Sequence, residues 1–382
     1  MNRRQLLAGG LCAAAPVPAL AQVRTRWTVK GSEGFDAIAF LGPLSGQPLY
    51  TRHYQAELAE FRPRFPAEAQ AALDRLQVAA KASGSLLWPT AANLLSGAPL
   101  DTLDDVIGAV EQAETLVMPA YKASIHWNAE RWDAFLAQRP DLMLVLAGLR
   151  DAGFRALRQT SLGDRLASRT AALTSYLARY DVIAEQERLL GRPLEPGIDI
   201  VLLWFSKPHG VRVQGQRFLS HVDYPDDNVV RIAAHEILHP PLPMDGPAAR
   251  AALDVLGRDE LFRRIVAEHD PAFGYNSLKG LLDEDLCEAL DQIISERLGV
   301  ARDAGQRWRG ADGGMHVLAA GLYGTFKTEG YDRSGGQLDA WLMDAARSGK
   351  LSPARLHAAA AQVLGKPAAE LWTTPSPADA AQ

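Results

Sequence analysis

Apolar positions recur at intervals of three and four through much of the first half of the chain, a spacing that predicts successive amphipathic helices over 67–82, 100–117, 129–138, 142–157 and 164–190. In the last of these, Leu166, Leu173, Leu177 and Ile183 or Ala184 share a face, while Arg165, Arg169, Arg179 and Glu187 fall elsewhere. Pro63, Pro66, Pro89, Pro119 and Pro140 punctuate the pattern, and Asp101 and Asp141 suit N-cap positions. The stretch 34–41 is apolar enough to be buried, with helix and strand both open.

The pattern changes at 193–197. Residues 198–206 are rich in β-branched and large apolar side chains, and 210–213 and 217–222 read as further extended stretches, so a small sheet is expected. A turn-like 224–228 then opens a helix over 229–239, stopped by Pro240 and Pro241. Helical spacing returns over 247–267, 277–298, 314–326, 338–347 and 351–364, and the Pro/Ala-rich tail 366–382 reads as disordered. The expected class is α+β and predominantly helical.

At 382 residues, 47% hydrophobic and 22% charged, the composition is that of a folded globular chain. A net charge of −5 without a Lys/Arg run leaves no footprint for nucleic acid. No membrane span is expected, because the longest apolar runs, 142–149 and 200–205, fall far short of the ~20 residues a membrane helix needs. Residues 1–21 read as a signal peptide: Arg3 and Arg4 are followed by an apolar 6–17 and by Ala19-Leu20-Ala21 at the cleavage position. The string Asn2-Arg3-Arg4-Gln5-Leu6-Leu7 resembles a bacterial twin-arginine export signal, general secretion being the other route. A periplasmic or secreted product is expected. Cys12 would leave with this segment, so Cys287 would have no intrachain partner.

One string carries sharp chemistry, His235-Glu236-Ile237-Leu238-His239. Histidines at i and i+4 on a helix stack on one face, where both imidazoles can meet one metal ion. A Glu after the first His is placed to act as general base on the water that a zinc ion activates.

The region 198–298, with this HExxH string after a small sheet, looks like the catalytic core of a zincin metallopeptidase. That resemblance implies Zn2+ as cofactor, His235 and His239 as ligands, Glu236 as general base, and a peptide or protein substrate. It also makes 217–222 a candidate substrate-binding edge, an ordinary hairpin strand being the alternative. Leu242 and Asp245 stand where a metzincin would carry Gly and His, which leaves the gluzincin type, with a Glu from a later helix as third ligand. The candidates are Glu284, Glu288 and Glu260. Glu260 lies among Arg258, Arg263 and Arg264 on an apparently solvated face; on the later helix, Glu284 adjoins the apolar arc of Leu286, Leu290, Ile293 and Ile294, whereas Glu288 points further out. Glu284-Asp285-Leu286-Cys287 also fits the E-x-x-small pattern that gluzincin ligand helices resemble. Glu284 is therefore the chosen ligand, with Glu288 one turn on as a hydrogen-bond acceptor for a ligating His. Tyr275, His316, Tyr323 and Tyr331 are the candidate oxyanion donors.

The chain thus divides into a signal peptide (1–21), a mainly helical region (22–192), a zincin-like catalytic region (193–365) and a tail (366–382). An exported zinc-dependent hydrolase, a metallopeptidase, is the expectation. A helical exported binding or scaffold protein with a structural or accidental metal motif is the alternative, and a non-peptide amide or ester is a third possibility for the substrate.

Overall fold

In the computed structural model, which describes residues 23–124 and 126–373, Arg26–Gly31 form β1 and pair in parallel with β2, Gly197–Leu203. The other side of β2 pairs in parallel with β4, Arg217–His221, and β3, Val211–Val213, runs antiparallel to β4, so the order is β1-β2-β4-β3. The three extended stretches expected after residue 193 are all strands. Parallel pairing of β1 with β2 requires a crossover, and here that crossover carries every helix between residues 33 and 190.

Both faces of the sheet are covered, which explains the unbroken apolar run of β2. Ile198, Ile200, Leu202 and Phe218 pack with the last two crossover helices, between residues 165 and 190, and with the helices that follow the sheet, whereas Val201, Leu203, Val213 and Leu219 pack with the earlier crossover helices. The ambiguous 34–41 stretch belongs to a helix, α1 (Glu33–Leu44), opened by Ser32, whose hydroxyl accepts the Phe35 N–H at 2.9 Å. On α1 the buried Asp36 accepts backbone N–H groups of Trp204 and Phe205 at 2.7 and 3.0 Å and Arg158 Nε at 2.6 Å. One carboxylate thereby ties the crossover helices to the end of β2.

Several helix boundaries differ from the periodicity. Pro140 lies inside one helix, Ala129–Asp151; the break comes instead at Gly153, whose φ of +82° suits the residue without a Cβ. The 164–190 stretch is two helices, Arg165–Leu177 and Val182–Leu190, and 247–267 is likewise Pro247–Leu256 and Glu260–Glu268. In both cases an aspartate, Asp181 or Asp259, caps a new helix while the apolar spacing runs on undisturbed. The expected disordered tail is ordered as far as residue 373: Leu371 and Trp372 are buried in the core, and the Trp372 carbonyl accepts Arg264 at 2.9 Å. The signal-peptide reading of 1–21 lies outside the described residues. No helix among those described is long and apolar enough to cross a membrane.

Candidate metal centre

The helix carrying the HExxH string, α2 (Asp226–Glu236), follows β4 and starts behind Pro225. It ends three residues earlier than expected. His239 precedes Pro240, and a residue before proline is pushed out of the helical region, so His239 lies in the turn beyond α2. The turn keeps the rings together all the same, with His235 Nε2 and His239 Nε2 3.2 Å apart.

The facing helix, α3 (Leu278–Leu298), is capped by Ser277 and buried on almost all sides. It places Glu284 against both imidazoles, with Oε1 3.4 Å from His235 Nε2 and Oε2 3.6 Å from His239 Nε2. Ligands at the ~2.0–2.1 Å typical of zinc, set tetrahedrally, lie about 3.3 Å from one another. The two Nε2 atoms are 3.2 Å apart and the Glu284 carboxylate spans them, one oxygen 3.4 Å from His235 and the other 3.6 Å from His239, distances of that order. Burial alone would raise the Glu284 carboxyl, but His235, with His239 and His316, brings it down to about 2. Burial opposes a charge on His235, and Glu284 and Asp291 overcome that and raise its pKa well above the usual histidine value. The pocket thus favours positive charge between two rings and a carboxylate.

The outward nitrogens are also held. His235 Nδ1 lies 2.7 Å from Asp291 Oδ2, and Asp291 is clamped by Arg307 at 2.5 and 2.9 Å. Arg307 belongs to α4 (Ala304–Gly310), as does Trp308, whose indole donates to Glu288 at 2.6 Å. Glu288, expected to support a ligating His, is 3.9 Å from His235 Nδ1 and instead accepts Arg307 at 2.7 Å. Asp291 takes the expected role, because it lies two turns beyond Glu284 on the same helical face. His239 Nδ1 faces Asp283 Oδ1 and Cys287 Sγ, both at 3.4 Å. With a metal in place, donation from both Nδ1 atoms outward would leave both Nε2 lone pairs turned inward, the tautomer a metal needs.

Glu236, the last residue of α2, is half-buried and has no hydrogen bond or ion pair among the described residues. Tyr275 stands near it. Burial, then the charge of Glu284, with smaller contributions from Asp312, a hydrogen bond to Glu284 and the charge of Glu236, push its hydroxyl far above the ordinary tyrosine value. Its φ of +59° is a strained conformation for a bulky residue. The other three expected oxyanion donors are engaged elsewhere: His316 bonds Asp285 and Asp312 at 2.6 and 3.0 Å, Tyr323 donates to Glu296 at 2.5 Å, and Tyr331 donates to the Leu189 carbonyl at 2.6 Å. Glu260 is exposed at the start of its own helix and belongs to no candidate metal cluster.

The expected substrate edge, 217–222, is not an edge. As β4 it lies inside the sheet, and β3 is the outer strand, because the turn between them folds 211–213 back on the outer side; the Arg212 carbonyl accepts Asn93 Nδ2 of the helix Leu87–Leu95 at 3.4 Å. Two residues without a readable sequence signal also come to the site. His126, from the crossover, is half-buried and pushed down to about 4 by burial, with Arg212, Arg131 and His239 adding to the effect. Arg212 lies on β3 itself. Comparison with protein-family models, with curated proteins and with solved structures returns no match.

Proposed function

We propose that the protein is an exported zinc-dependent hydrolase acting on peptides, with His235, His239 and Glu284 holding the metal. The observation that carries this reading is the convergence of two Nε2 atoms and one carboxylate with edges of 3.2–3.6 Å. The donor set fits zinc, and it stops at three among the described residues, whereas a structural zinc takes four. Zinc bound there would supply Lewis acidity, lowering the pKa of a water and polarising a carbonyl.

The chain's own residues divide the remaining work. Glu236, with an unpaired carboxylate, accepts the proton of the attacking water and returns it to the leaving amine. Tyr275 keeps its proton and donates to the oxyanion as it forms. Asp291 and Arg307 hold His235 so that Nε2 points inward. Export rests on segment 1–21.

Chelation followed by zinc addition tests the reading. With a mixture of ordinary peptides as substrate, cleavage is expected to stop on removing the metal and to return with one equivalent of zinc. Cleavage indifferent to the chelator, or no cleavage by zinc-loaded protein, would contradict it.

Tyr275→Phe isolates the oxyanion role. Its kcat is expected to fall by about a hundredfold or more with zinc content unchanged, as steady-state kinetics and metal analysis would report. An unaltered kcat would remove Tyr275 from the mechanism.

A further inference from the structure

Arg212 presents an unneutralised cation on the strand beside the metal cluster. Within β3, Val213 is buried and Val211 packs on the core of the crossover helices. Alternation therefore turns Arg212 to the opposite face, where its cross-strand partner Phe218 packs with residues of α2 and α3. That face carries the metal cluster. Strand and motif helix touch: a Cβ built on Gly210 would meet Ile232 of α2 at 3.3 Å. The Arg212 side chain has no hydrogen bond or ion pair among the described residues, and its Nη1 is buried without a partner.

Burial, then the charge of Arg212, pushes the His126 imidazole down to about 4, so the positive charge near Arg212 is arginine's, with Arg131 exposed at the start of Ala129–Asp151. A buried guanidinium N–H that lacks an acceptor is costly, and its planar fork matches a carboxylate.

We propose that Arg212 receives a carboxylate of the peptide substrate, either the free C-terminus or an acidic side chain near the cleaved bond. The proposal deepens the metallopeptidase reading and rests on it. A negative group of a peptide held at the metal cluster would supply the missing partner of Arg212, so the enzyme would select substrates by charge.

Binding to the metal-free protein, measured by calorimetry, tests this without turnover. The probes are N-acetyl-trialanine as free acid and as amide, and N-acetylated Ala-Asp-Ala and Ala-Asn-Ala, both as amides. One carboxylate form, terminal or side-chain, is expected to bind about tenfold to a hundredfold more tightly than its neutral counterpart. Which one does so identifies the source. Arg212→Met should abolish the difference and Arg212→Lys should keep part of it. Equal binding of acid and neutral forms, no measurable binding of any, or a preference that survives Arg212→Met overturns the proposal. If the preference holds and depends on Arg212 while zinc-loaded protein cleaves no peptide, the carboxylate site stands and the peptidase reading falls.

Discussion

Glu236→Gln is expected to lower turnover by about a hundredfold to ten-thousandfold while zinc stays bound. Glutamine keeps the size and shape of the side chain but cannot take a proton. Glu236 is adjacent to the proposed ligand His235 but belongs to none of the three side-chain groups that could hold a metal among the described residues. Among the described residues the other carboxylates beside the two histidines are engaged: Asp283 faces His239, Glu288 is held by Arg307 and Trp308, and Asp291 is clamped by Arg307. The loss should appear in kcat more than in KM, because proton transfer belongs to the transition state. Equal turnover of wild type and variant at matched zinc content would exclude Glu236 as the base.

Arg307→Met has the largest expected effect on stability. Arg307 neutralises Asp291 and Glu288, with side chains 14%, 1% and 14% exposed. Burial works against the Arg307 charge, yet these two acids raise its pKa above the usual arginine value. Its removal leaves two buried carboxylates facing each other across His235, and breaking a buried pair in this way costs about 3–5 kcal/mol. That is a large share of the 5–15 kcal/mol of a typical domain. Denaturant unfolding of the metal-free variant should show this loss, and zinc affinity should fall by about tenfold to a hundredfold as Asp291 loses its hold on His235. Arg307→Lys keeps the charge but not the fork and should recover part of both. A variant as stable as wild type would mean that Asp291 and Glu288 take up protons at no cost.

The legible part of this protein is the part in which residues near in sequence do related work. Two histidines four apart suggested a metal cluster, and a helical wheel brought Glu284 to the seam, where the structure has it. The same wheel put Asp291 two turns on, but one turn on from Glu284 was Glu288, and only the position of α4 shows that Arg307 and Trp308 claim Glu288 and leave Asp291 for His235. The helix over-ran to His239 because apolar spacing carries no record of what a following proline does to the residue before it.

What was not legible comes from distant elements. β1 is six residues with modest alternation, and its identity as a strand depends on pairing with β2 some 170 positions later. That pairing links 22–192 with 193–365 through one sheet. Arg212 and His126 come within electrostatic reach of each other from an edge strand and a crossover loop, with no periodicity to connect them. Leu371 and Trp372, set in a Pro/Ala-rich context, are core residues because Arg264 and the neighbouring helices receive them.

The claim beneath all of this is that three side chains hold one zinc ion and leave a coordination position open. A crystal of the zinc-loaded protein, with anomalous data on either side of the zinc edge, tests it most directly. The prediction is one strong peak within bonding distance of His235 Nε2, His239 Nε2 and a Glu284 oxygen, with its remaining ligand drawn from solvent. No peak among these three atoms, or a zinc closed off by a fourth protein ligand, would contradict it.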